Sequence, residues 1–170
     1  MSTRADQIIF KHPLFKVYMN DRVPAKVGET LISGKISQYN KVSEFEYILS
    51  NYINNKKILT LNSGTNALHL AYHLLQKPIE ELNYPGWEIG DEVLTTALTC
   101  VATNWPILAN NLKIKWVDID PETMNINIED LKKKLSSTTK IISVVHWGGT
   151  PTDLDKLKEV QGFLFVFLGN

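Results

Sequence analysis

The sequence predicts an α/β fold of three layers, with a mostly parallel sheet covered by helices on both faces. Two observations carry this. Apolar spacing alternates between a helical period and short strand-like runs from residue 44 onward. Residues 139–145 hold Ile141, Ile142, Val144 and Val145 almost without interruption. A strand that is apolar on both sides suits the centre of a parallel sheet. Gly and Pro fall singly as turn markers, with no repeat, low-complexity tract or linker, so one continuous unit is expected.

The elements follow in order. From Glu44, the residues Phe45, Ile48, Leu49, Tyr52 and Ile53 repeat at three and four, which predicts an amphipathic helix docked on a core. Asn54-Asn55-Lys56 ends it, and residues 57–61 read as a short strand rich in β-formers. Asn62-Ser63-Gly64-Thr65 then opens a helix with Ala67, Leu68, Ala71, Leu74 and Leu75 on one face. A Gly90-Asp91 turn leads into a strand at 92–96. A helix at about 101–110, a strand at 113–117 and a helix at 128–135 come next. After the 139–145 strand, 153–160 reads as a short helix and 163–168 as one more buried strand. Strand–helix alternation implies right-handed crossovers, and ligands in such sheets sit beyond the carboxyl ends of the strands.

Composition narrows the function. The 170 residues carry 18 Lys+Arg against 18 Asp+Glu, so no cation excess exists to hold nucleic acid or anionic lipid by bulk electrostatics. The longest apolar stretch, 163–168, is far shorter than the roughly 20 residues of a membrane-spanning helix. The first twenty residues mix Arg4, Asp6, Lys11, His12 and Lys16 among apolar ones, so no secretory core is read there and the cytoplasm is the expected compartment. A lone Cys100 makes neither an intrachain disulfide nor a thiolate metal cage, and no metal site is expected.

Four constellations bear on chemistry. At Asn62-Ser63-Gly64-Thr65-Asn66, Ser63 caps the helix and Gly64 leaves room for close approach. The N–H groups of Gly64, Thr65 and Asn66 then point outward at the positive helix end, an arrangement suited to phosphate or equally to an ordinary capped helix. The turn lacks both the dinucleotide glycine pattern and the Gly-Lys-Ser/Thr of a nucleotide P-loop. At Thr99-Cys100-Val101-Ala102-Thr103-Asn104, the polar side chains face the same strand-end crevice, or form a Thr-capped helix with a small buried cysteine; no base for a nucleophilic cysteine is identifiable. His146-Trp147-Gly148-Gly149 ends the most buried strand, where His146 is either poised at a cleft or held structurally. Asp118-Ile119-Asp120-Pro121 reads as a strand-end turn rather than a carboxylate pair.

Taken in order, these phrases resemble the DegT/DnrJ/EryC1/StrS sugar aminotransferases, pyridoxal-phosphate enzymes of fold type I. The resemblance rests on Ser33-Gly34, Val42-Ser-Glu-Phe-Glu46, Asn62-Ser-Gly-Thr-Asn-Ala-Leu68, Gly90-Asp-Glu-Val93, Thr99-Cys-Val-Ala-Thr103, Val117 through Ile126, Lys140-Ile-Ile142, and Val145-His-Trp-Gly-Gly-Thr-Pro-Thr-Asp-Leu-Asp155. It covers about 31–155, the N-terminal part of a family enzyme, and implies the large domain of the fold type I aminotransferases, truncated. On that basis residues 1–30 are expected to form an N-terminal arm or helix and 31–170 a partial cofactor-binding domain.

The resemblance also implies pyridoxal 5'-phosphate as cofactor, with its phosphate at Gly64 and Thr65 and its ring packed by the residue at Cys100, a position commonly aromatic in the family. It implies a nucleotide-linked keto sugar and glutamate as substrates, and a homo-oligomer. The family's pyridine-nitrogen acid comes from a Glu-Asp-Ala-Ala phrase at a strand end, and its Schiff-base lysine lies further on. Here Leu168-Gly169 stand at the first position and no lysine follows Lys158, so no catalytic residue is assigned and the chain alone is expected to be inactive. A non-catalytic phosphate-binding or dimerisation module derived from the family is the alternative reading.

Overall fold

The computed structural model describes residues 17–160 and, for the backbone alone, 164–169. The chain forms two compact units, Met1–Leu59 and Thr60–Asn170, rather than the single unit expected. The division falls in the stretch expected as a strand. Residues 57–61 pair with no strand among the described residues and are irregular. A run of β-formers becomes a strand only where a neighbour takes up its backbone hydrogen bonds.

In the first unit, α1 (Val23–Ile32) carries Pro24 in its first turn, where no backbone donor is needed. Helix α2 (Asn40–Tyr52) contains most of the predicted amphipathic stretch but begins four residues before Glu44. The expected docking of its apolar stripe is not observed. Phe45, Ile48, Tyr52 and Ile53 are exposed, from 48% to 86%.

The second unit holds the sheet. Strands β1 (Glu92–Thr96), β2 (Lys113–Val117), β3 (Thr139–His146) and β4 (Leu164–Gly169) lie in the order β2-β1-β3-β4, all parallel. The predicted ranges for the first two are reproduced and the third gains His146; Phe163, expected in the fourth, lies outside the described residues. Helices α3 (Gly64–Leu74) and α4 (Val101–Ala109) cover one face, where Tyr72 and Ile107 pack on Val93, Ile141 and Leu112. Helices α5 (Ile128–Lys134) and α6 (Leu154–Lys158) cover the other, where Leu131 and Leu157 pack on Leu94, Val117, Ile142 and Val144. Alternate residues of β3 therefore enter different cores, which is why its sequence shows no polar face. No helix among the described residues is long and apolar enough to cross a membrane.

Helices α3, α5 and α6 each have a side-chain cap at the start. Ser63, Asn127 and Asp153 accept hydrogen bonds from the N–H of Asn66, Asp130 and Lys156, satisfying donors that a first helical turn leaves open. In α5, Glu129 and Asp130 at the start and Lys132 to Lys134 at the end complement the helix dipole.

The buried face of α3 differs from the predicted one. Leu68, Tyr72 and Leu75 turn inward, whereas Ala67 and Leu74 are exposed. Tyr72 is fully buried, donates its hydroxyl to Ser143 Oγ at 2.9 Å, and accepts at its carbonyl from Trp87 Nε1 at 2.8 Å. Burial pushes its phenol up to about 12. Removing only one partner of this buried pair leaves a polar atom dry. Ser143→Ala is therefore expected to cost about 1–3 kcal/mol in urea unfolding, and the double variant Ser143→Ala/Tyr72→Phe to regain most of that loss. Simple addition of the two single losses would show that the pair is not coupled.

Candidate functional site

Strand order creates a crevice at one place. From β1 the chain passes through α4 on one face to β2; from β3 it passes through α6 on the other face to β4, on the opposite side. The loops leaving the adjacent strands β1 and β3 thus part at their carboxyl ends, the position where open parallel sheets bind ligands. Residues 97–100 and 147–153 flank this point.

Helix α3 brings its N-terminus to the same edge. Its Tyr72 carbonyl, which points along the helix towards the C-terminus, meets Trp87 ahead of β1, and its His69 carbonyl accepts from Asn110 Nδ2, just ahead of β2. Both partners precede their strands, so the C-terminal end of α3 lies at the amino edge of the sheet and Gly64 and Thr65 lie towards the carboxyl edge. The His69 ring meets Trp105 of α4 edge-on at 5.9 Å, and the two helices run side by side.

At the start of α3, the outward donor set is smaller than expected. Ser63 Oγ takes the Asn66 amide at 3.2 Å, leaving the amides of Gly64 and Thr65 with no protein acceptor among the described residues. No acidic residue stands in the first turn, and a Cβ built on Gly64 would meet nothing within 4 Å. Two aligned N–H groups at an uncompensated positive helix end, with open space before them, fit one face of a phosphate.

The second segment departs from the expectation of a Thr-capped helix with a buried cysteine. Cys100 itself, not Thr99, is the N-cap of α4, and it is exposed rather than buried. Thr99 Oγ1 instead donates to Thr103 Oγ1 at 2.8 Å. Buried Asn104 accepts from Thr95 Oγ1 at 3.1 Å and donates to the Thr96 carbonyl at 3.1 Å, tying the first turn of α4 to the end of β1.

His146 ends β3 opposite Gly169 of β4. Its Nδ1 accepts from the Thr152 amide at 3.1 Å. Buried Asn125 reaches the same loop, accepting from Trp147 N at 2.9 Å and donating to the Thr150 carbonyl at 3.0 Å. These contacts span 22 and 25 residues and had no sequence signal beyond a polar residue beside Ile126. The Asp118–Asp120 pair is a turn, as read. Asp120 Oδ1 accepts from the amides of Thr123 and Glu122, which hold its carboxyl below the usual range, and Ile119 bridges to Ile126. No cluster of metal-ligating side chains occurs among the described residues.

The model of the DegT/DnrJ/EryC1/StrS aminotransferase family matches residues 18–162. The chain belongs to that family. It is 34% identical to the spore coat polysaccharide biosynthesis protein SpsC of Bacillus subtilis over 79% of this chain and 32% of that protein. The sugar aminotransferase CalS13 of Micromonospora echinospora superimposes with a TM-score of 0.78 at 40% identity, over 91% of this chain and 42% of that one. The E. coli GDP-4-keto-6-deoxy-D-mannose-3-dehydratase with bound hydrated PLP does so at 0.80 and 25% identity, over 91% and 40%. The fold is that of the fold type I sugar aminotransferases, and the chain spans well under half the length of the curated relatives it matches. Within this family, the exposed setting of Cys100 is open to test: one equivalent of an aromatic disulfide reagent is expected to react with the native chain without denaturant. Reaction only after unfolding would contradict that setting.

Proposed function

We propose that this chain is the cofactor-phosphate region of a pyridoxal-phosphate-dependent sugar aminotransferase that takes an amino group from glutamate to a nucleotide-linked keto sugar. The observation that carries the proposal is the pair of unpartnered amides at Gly64 and Thr65, set at the carboxyl edge of a parallel sheet in a member of this family. Family membership supports the substrate class, as does the relation to a dehydratase of a GDP-linked keto sugar.

Gly64 and Thr65 would hold the phosphate, and Cys100 would lie against the ring. When bound, the cofactor supplies an electron sink for the amino-group exchange. The chain's own residues bind and orient it: the α3 dipole and two amides fix the phosphate, and the Asn104 bonds hold Cys100 in place. A sulfur in place of an aromatic ring offers less stacking area, so affinity would rest more heavily on the phosphate end.

Gly64 allows a clean test, because a side chain there meets no neighbour and its backbone is helical. In a spectroscopic titration with pyridoxal phosphate, Gly64→Asp is expected to weaken binding by at least about tenfold, by like-charge repulsion at the phosphate. Equal binding by both proteins would remove the phosphate site. For the 170-residue chain incubated with glutamate and a keto sugar nucleotide, no amino sugar is expected. That expectation follows from the family resemblance, which assigns neither a Schiff-base lysine nor a pyridine-nitrogen acid within residues 1–170, and product formation would refute it.

A further inference from the structure

The loop after β3 is clamped in a way that bears on the histidine at its root. Trp147–Gly149 turns tightly, with Gly148 at φ 59° and Gly149 at φ 82°, left-handed values that leave such a loop little intrinsic rigidity. Two buried side chains restrain it. Asn125, 4% exposed, takes the Trp147 amide and gives to the Thr150 carbonyl, bridging the turn from start to end. Thr152, also 4% exposed, gives Oγ1 to the Val145 carbonyl at 3.4 Å and its amide to His146 Nδ1 at 3.1 Å.

A backbone N–H has only a proton to offer, so the nitrogen that receives it carries none. The neutral imidazole of His146 then bears its proton on Nε2. We propose that Asn125 is a positioning residue: by setting the 147–152 turn it holds the Thr152 amide on Nδ1 and fixes His146 as an Nε2–H donor at the carboxyl edge of β3. In this form His146 serves that edge as a hydrogen-bond donor and not as a base through Nε2. The inference rests on the proposed function only in the purpose it gives that edge. The bonds themselves require no cofactor.

The test reads the ring directly. In the 170-residue chain with ¹⁵N-labelled histidine, His146 is assigned by its loss in His146→Gln, and long-range ¹⁵N–¹H spectra report which nitrogen is protonated in mildly alkaline buffer. The wild type is expected to show one form, with Nε2 protonated. In Asn125→Ala the share of the Nδ1–H form is expected to rise about fivefold, the equivalent of one ordinary hydrogen bond. Should that variant not fold, Asn125→Asp carries the same test, because it keeps the acceptor for Trp147 and loses the donor to Thr150. A wild type protonated on Nδ1, or an unchanged tautomer ratio in the folded variant, overturns the proposal. Cofactor is absent throughout, so failure here and failure of the phosphate site are separate results.

Discussion

From Thr139 to Val145, every side chain of β3 except Lys140 is withdrawn from water, and successive residues enter opposite layers. Ile141 and Ser143 meet the α3–α4 side through Val93 and Tyr72, while Ile142 and Val144 meet the α5–α6 side through Leu94 and Leu131. Such a strand has no tolerated register shift, because a slip by one residue would exchange its two faces. Truncating a side chain such as Ile142 costs about 2–5 kcal/mol in settings of this kind, since neither layer can collapse without disturbing the other. The strand's fixed position also fixes where His146 emerges and which loops part beside it.

The site inherits its chemistry from that geometry. Parallel strands place all their carboxyl ends on one edge, and helices that return antiparallel to them bring their positive ends to it. At α3, capping and binding compete for the same donors. Ser63 consumes the third first-turn amide, and what remains is a two-donor cradle rather than the three-donor cradle read from the sequence. The cap still serves the site, because it holds the first turn rigid and so keeps the remaining two N–H vectors aligned.

Much of this was legible from residue order. The strand at 92–96 was readable because its composition matches two-layer cover, and the cap at Ser63 because a short polar residue precedes a helical period; Asp153, read as the first residue of its helix, is instead its cap. Residues 57–61 were misread for a related reason: β-propensity describes fit to a pleated surface, and no strand among the described residues supplies that surface. The α2 stripe shows the same limit, since periodicity records which face is apolar and not what covers it. Tyr72 was passed over because a hydroxyl breaks the apolar pattern, although its distant partner Ser143 makes it the most buried residue of its helix.

Asn125 marks the boundary of what a sequence discloses. An asparagine in an Asp-Pro turn region reads as one more turn former, and its two long-range bonds become visible only when the 118–127 segment and the β3 exit lie together. Its burial is nonetheless physically constrained. A primary amide withdrawn from water must spend both its donor and its acceptor on protein groups, and the exposed ends of a glycine turn offer one of each. The glycine turn and the buried amide therefore resolve each other's deficit: the turn satisfies the amide, and the amide removes the conformational freedom that Gly148 and Gly149 would otherwise retain beside His146.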